Sequence, residues 1–169
     1  MKRFKCILLV LLVLSTGLLS SVKVHGEGML QELGDALGVQ GEILWGKRSD
    51  PLPPTLHFGG SDPREMNYTF AGELDLMGYA GSACKLYMGT FIQEKGSLNL
   101  WERSTAEMTS GGLFQERLTL PRIGVNYLVI ILEVNGRLEG RVYAITRKSE
   151  SLEQNLLRLR LNLYEEYAP

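Results

Sequence analysis

The chain has 169 residues, is nearly balanced in charge with 18 Lys and Arg against 19 Asp and Glu, and is 44% hydrophobic. That length suits one ordinary domain with short flanks, able to bury a core without metal or disulfide support. The charge balance lacks the basic clusters that nucleic acid selects, and two cysteines cannot make a disulfide framework.

Residues 1–26 read as a secretory signal. Lys2, Arg3 and Lys5 precede an apolar run from Cys6 to Leu14, and small and polar residues follow down to Gly26. Cleavage is expected before Glu27, although Val24-His25-Gly26 meets the small-residue rule only loosely. The alternative keeps the segment as an N-terminal membrane anchor, against which the run falls short of the roughly 20 apolar residues of a span. Either way the protein is expected to be secreted or extracytoplasmic. Cleavage removes four basic residues and no acid, leaving 14 basic against 19 acidic. It also removes Cys6 and His25, so Cys84 and His57 become the only residues of their kinds. Cys84, in a strand-like stretch from Ser82 to Met88, is expected to be an inert core thiol. His57 is expected in a loop.

Residues 27–54 form an N-terminal extension. Met29, Leu30, Leu33, Leu37 and Val39 recur at helical spacing, but Gly34, Gly38 and Gly41 limit them to a short, frayed helix. Ile43 to Pro54 then reads as a stiff connector, because Pro51, Pro53 and Pro54 fix their own φ and keep their predecessors out of the helical region. The folded domain is expected to begin at residue 55.

From 55 to 148 the chain is a succession of β-prone runs cut by glycine turns. Tyr68 to Leu74 reads as a strand, with Gly78 and Gly81 marking a turn after Leu76, and Ala83 to Met88 as the next strand. Phe91 to Trp101 holds two edge pieces around Lys95-Gly96. In Leu113 to Leu120, Phe114, Leu118 and Leu120 share one face while Gln115, Arg117 and Thr119 share the other, the period of a strand with one wet side. Asn126 to Val134, then Asn135-Gly136, then Arg137 to Thr146 is a hairpin signal, since Asn-Gly supplies the positive φ angles of a type I′ turn. Leu128 to Leu132 is apolar on both faces and reads as a central strand covered on both sides. The architecture expected is all-β: an antiparallel sandwich with a short N-terminal extension and a C-terminal amphipathic helix.

Gly112-Leu113-Phe114, Leu118-Thr119-Leu120, Gly124-Val125-Asn126 and Asn135-Gly136 follow one another in this order. With them, the stretch from Phe70 to Thr146 resembles the bacterial immunoglobulin-like, fibronectin-III-like β-sandwich domains of secreted Gram-positive proteins, which are also appended to extracellular glycoside hydrolases. The shared motifs belong to packing and turns, so the resemblance implies a fold. It is interrupted between Thr90 and Ser110 by an insertion-like polar stretch.

Residues 149–169 change character. Ser151 and Gln154 have capping-box spacing, and Leu152, Leu156, Leu159, Leu163 and Tyr167 make a helical stripe, with Leu157, Leu161 and Tyr164 beside it. A strand competes over 157–163, where leucines alternate with Arg158, Arg160 and Asn162. Helix is preferred because β-branched residues are absent.

No nucleophile elbow, zinc helix, phosphate loop or dinucleotide fingerprint is present, so no catalytic, cofactor or metal residue is assigned. Glu73 and Asp75 share one face of an extended segment and read as solvated strand positions. The functional expectation is an exported, non-catalytic binding or accessory domain at the cell surface or envelope. Its expected ligand contacts are Tyr87, Trp101 and the polar stretch from Glu94 to Glu107, and its expected partner is a cell-surface glycan or an envelope protein. The alternative is an envelope assembly or regulatory protein that binds its partner, or a second copy of itself, through Leu152, Leu156, Leu157, Leu159, Leu161, Leu163 and Tyr164. An unmarked carboxylate-based hydrolase comes third.

Overall fold

In a computed structural model of the chain, residues 27–50, 56–59 and 62–157 are described. The segment read as a secretory signal and the part of the leucine stripe read beyond Leu157 lie outside them. Among the described residues, nine strands build two facing sheets: β1 (Ile43–Trp45), β2 (Leu56–Phe58), β3 (Tyr68–Thr69), β4 (Glu73–Ala80), β5 (Cys84–Glu94), β6 (Ser97–Met108), β7 (Leu113–Thr119), β8 (Gly124–Val134) and β9 (Arg137–Arg147). The larger sheet runs β1-β9-β8-β5-β6, with β3 also on the outer edge of β9; the smaller runs β2-β4-β7. The protein is mainly β, a sandwich with short helices near its two ends.

The core between the sheets follows strand alternation. Leu74, Leu76 and Ala80 from β4 and Phe114 and Leu118 from β7 meet Leu86 and Met88 from β5, Leu128, Ile130 and Leu132 from β8, and Tyr143 and Ile145 from β9. Cys84 is buried in the same cluster, and desolvation pushes its thiol pKa up. The other face of the large sheet is also covered. Leu33, Leu37, Val39 and Ile43, together with Phe91, Val129, Ile131 and Leu138, are all buried. Gly89 permits this layer, because a Cβ there would overlap Leu37 Cδ2. The apolar run of β8 is thus covered on both faces, between β9 and β5, as its two-sided pattern requires.

Folded structure therefore reaches upstream of residue 55. Ile43–Trp45, read in sequence as part of a connector, pairs parallel with Leu138–Gly140 of β9. The small residue Gly140 leaves room for Trp45, whose ring carbons would lie 2.5 and 2.6 Å from a Cβ there. Between β1 and β3 the edge of β9 is unpaired, and the Arg48 guanidinium occupies the gap: it donates to the carbonyls of Ala144 at 3.1 Å, Met66 at 2.8 Å and Pro63 at 3.4 Å.

Other expectations are corrected. The strand read over Tyr68–Leu74 is split, since β3 stops at Thr69 and β4 begins at Glu73. Gly78 is no turn but lies inside β4, where the missing side chain makes room for the Phe114 ring and the His57 carbonyl. His57 lies on β2, not in a loop, and its ring stacks on Tyr79 at 4.5 Å between centroids. The insertion-like stretch is the hairpin β5–β6, with Lys95 (φ 50°) and Gly96 (φ 90°) forming its turn. Its polar sequence reflects an edge strand with one wet side. The hairpin at Asn135 (φ 51°) and Gly136 (φ 76°) forms as its dipeptide dictates. The C-terminal helix starts at 150, and its cap lies two residues before the Ser151 read in the sequence: Ser149 Oγ accepts from the Leu152 N–H at 3.4 Å.

Candidate ligand groove at the β5–β6 hairpin

Along β5 and β6, Thr90 pairs with Glu102 but Phe91 pairs with Leu100. Trp101 is the extra residue, a β-bulge at the sheet edge. A bulge interrupts pairing and re-aims a side chain. Leu100 accordingly turns onto the covered face near Gly89, Glu102 turns toward the smaller sheet, and Trp101 stands 55% exposed between them.

Trp101 lines an open groove of about 690 Å³. One wall is the end of β5 and its turn, with Gln93, Glu94 and Lys95; the other is the β7–β8 loop, with Pro121 and Arg122. These walls are tied to each other and to the sheet. Arg122 Nη1 donates to the Gln93 carbonyl at 2.8 Å, and the Tyr127 hydroxyl donates to Gln93 Oε1 at 3.3 Å. Asn126, fully buried at the start of β8, accepts from the Arg122 backbone N–H at 3.1 Å and donates to the Arg122 carbonyl at 2.8 Å. Arg147 donates to the Leu120 carbonyl at 2.9 Å. The groove is shaped before any ligand arrives, which lowers the entropy lost on binding.

Chemically the groove offers a flat indole face with one N–H donor, a fork of guanidinium donors, an ammonium and a carboxylate. It is equipped to bind and orient, through stacking and charge-assisted hydrogen bonds. Among the described residues no group of three or more His, Cys, Asp or Glu could hold a metal ion.

Tyr87 stands elsewhere, on β5 within the large sheet. Its hydroxyl donates to Glu133 Oε2 at 2.9 Å, and Lys85 lies over its ring at 5.3 Å while pairing with Glu107 at 2.9 Å. Burial and the Glu133 carboxylate raise the Tyr87 pKa. The structure does not bring Tyr87 and Trp101 into one site. Glu73 and Asp75 share the exposed face of β4 as expected, and both answer Arg117, at 3.6 and 2.7 Å. Leu152, Leu156 and Leu157 are 40, 49 and 52% exposed, so the described part of the C-terminal helix leaves its leucines uncovered. Leu159, Leu161, Leu163 and Tyr164 lie outside the described residues.

Pro121 and Arg122 were not legible as site residues. A Pro-Arg pair after a strand is an ordinary loop, and only the pairing of β5 with β8 sets this one opposite the β5 end.

No protein-family model matches the chain, and no curated protein matches it. Among solved structures it is similar to the sulfur carrier protein SoxY from Chlorobium limicola f thiosulfatophilum, at 9% identity and a TM-score of 0.42, over 73% of this chain and 99% of that one. It is also similar to red sea bream transglutaminase, at 14% identity and a TM-score of 0.38, over 75% of this chain but 19% of that one.

Proposed function

We propose that the protein is an exported, non-catalytic binding module of the cell surface or envelope, with an immunoglobulin-like fold, that takes a glycan in the groove beside Trp101. The observation that carries this reading is the bulge. A large aromatic side chain is held out of the ladder at a fixed place, among polar groups whose own positions are tied by hydrogen bonds. Tryptophan and arginine are the side chains that most often dominate binding energy, and a planar ring matches the apolar face of a sugar. The test is retention of the purified protein on isolated cell wall and on insoluble polysaccharides, beside Trp101→Ala. The reading expects the wild type to be retained and Trp101→Ala to wash through; equal retention of the two sinks it.

The second reading, a protein that binds an envelope partner or a second copy through its C-terminal helix, is favoured by the exposure of Leu152, Leu156 and Leu157. Removal of residues 149–169 separates the two. It spares wall retention in the first and abolishes protein association in the second.

A further inference from the structure

The groove is cationic on a chain whose exported part is acidic. Lys95 and Arg122 face it against one acid, Glu94. Elsewhere Arg64, Lys85, Arg117 and Arg141 are answered by carboxylates, at Asp62, Glu107, Glu73 with Asp75, and Glu139, whereas several other described cations, among them Arg103 and Arg137, have no such partner among the described residues. Among the described residues neither Lys95 nor Arg122 forms such a pair. Arg122 is nonetheless not loose: Nη1 is spent on the Gln93 carbonyl, which tethers one end of the guanidinium and leaves Nε and Nη2 for another acceptor. Lys95 is fixed at its backbone by the tight turn. A tethered guanidinium and a lysine ammonium carried on a tight turn, neither with a carboxylate partner, lie with an exposed indole in one groove and form a site for a ligand with both a flat apolar face and a negative charge.

We infer that the ligand is an acidic polysaccharide, one whose sugar units carry carboxylate or phosphate groups. A pyranose face stacks on Trp101, its anionic substituent meets Arg122 and Lys95, and Glu94 accepts from sugar hydroxyls. This rests on the groove being the binding site proposed above.

The experiment uses charge-matched pairs: polygalacturonate against its carboxyl-reduced form, and phosphorylated dextran against plain dextran, each titrated into the purified full chain with tryptophan emission and affinity electrophoresis as readouts. At least one charged polymer is expected to bind about five- to tenfold more tightly than its neutral counterpart, with the preference weakening as salt is raised. Whichever pair shows it identifies carboxylate or phosphate as the anion. Lys95→Gln and Arg122→Gln are each expected to reduce the preference, Glu94→Gln to increase it, and Trp101→Ala to abolish binding. Because Arg122 also braces the groove, Lys95→Gln and Glu94→Gln carry the test on their own if Arg122→Gln unfolds. Equal affinity for charged and neutral polymers, both lost in Trp101→Ala, overturns the acidic ligand and leaves the groove standing. Binding that survives in Trp101→Ala overturns the groove itself, and absence of binding to every polymer overturns both.

Discussion

Glu102 Oε2 accepts a hydrogen bond of 2.7 Å from the backbone N–H of Thr119, joining the edge strands of the two sheets where no ladder connects them. Ser104 adds a second tie between the same strands, side chain to side chain, donating to Glu116 Oε2 at 2.5 Å. An edge strand exposes a row of unpaired backbone groups, and side chains from the opposite sheet are one way to satisfy them. Glu102 is also the residue immediately after the bulge, so the same contact anchors the strand beside Trp101.

Glu102→Ala leaves the Thr119 N–H without its charged acceptor. It is expected to lower stability by about 1–2 kcal/mol in urea denaturation. Glu102→Gln keeps an acceptor oxygen on an isosteric side chain and is expected to lose well under half as much. Equal losses in the two variants would show that the carboxylate charge, and not the hydrogen bond, is what matters.

Arg48 takes the place of a strand on the edge of β9, between the short parallel additions β1 and β3. Arg48→Ala removes three donors from the carbonyls of Ala144, Met66 and Pro63. A loss of about 2–3 kcal/mol is expected. Arg48→Lys is expected to recover little, because one ammonium cannot reproduce a planar fork spanning three carbonyls. Hydrogen exchange at β3 and at Lys148, whose N–H donates to the Thr69 carbonyl, is expected to quicken first in both variants.

Tyr143 is fully buried in the core, and its hydroxyl has no hydrogen-bond partner among the described residues. Burial pushes its pKa up from 10.0 to about 12, with smaller opposing effects from Arg141, Arg64 and Arg48. The folded state thus holds the proton more tightly than the unfolded chain. The resulting stability is fully present below the unfolded value and is lost as pH rises through the folded one, a window from about 10 to about 12. Burial raises the Tyr127 pKa in the same sense. Tyr143→Phe is expected to flatten this alkaline limb and, by removing an unpaired buried hydroxyl, to leave neutral stability unchanged or up to about 1 kcal/mol higher. Urea midpoints measured across pH 8 to 12 check both expectations.

What the sequence disclosed divides along the reach of the interactions involved. The β8–β9 hairpin was legible because Asn135-Gly136 settles a turn locally and the flanking residues alternate or run apolar around it. The C-terminal helix start was legible for the same reason, although Ser149 and not Ser151 supplies the cap. The turn of the β5–β6 hairpin at Lys95-Gly96 was legible, but the remainder of β6 was misread, because a wet edge strand looks like a polar insertion until its partner is known. Ile43–Trp45 gave no strand signal, since three residues pair with β9 only once Gly140 and the buried Leu33 and Leu37 are in place. Trp101 stood out as a large exposed aromatic, but the bulge that presents it is a statement about register with β5, which no local pattern carries.

That register yields the last prediction. Without residue 101, Leu100 and Glu102 become neighbours, and their partners Phe91 and Thr90 already are, so the ladder closes with no side chain changing face. Deletion of Trp101 is therefore expected to be tolerated, with stability within about 1 kcal/mol of wild type, because the bulge itself interrupts pairing. A deletion inside β8, whose ladders to β5 and β9 run without a bulge, would instead turn every following residue of the strand to the wrong face and unfold the sheet. Deletion of Val129 makes that comparison. If the Trp101 deletion folds with a normal urea midpoint and fails to bind, the extra residue serves the groove and not the fold. If it unfolds as the Val129 deletion does, the bulge is a structural requirement of the sheet, and Trp101 is exposed as a consequence.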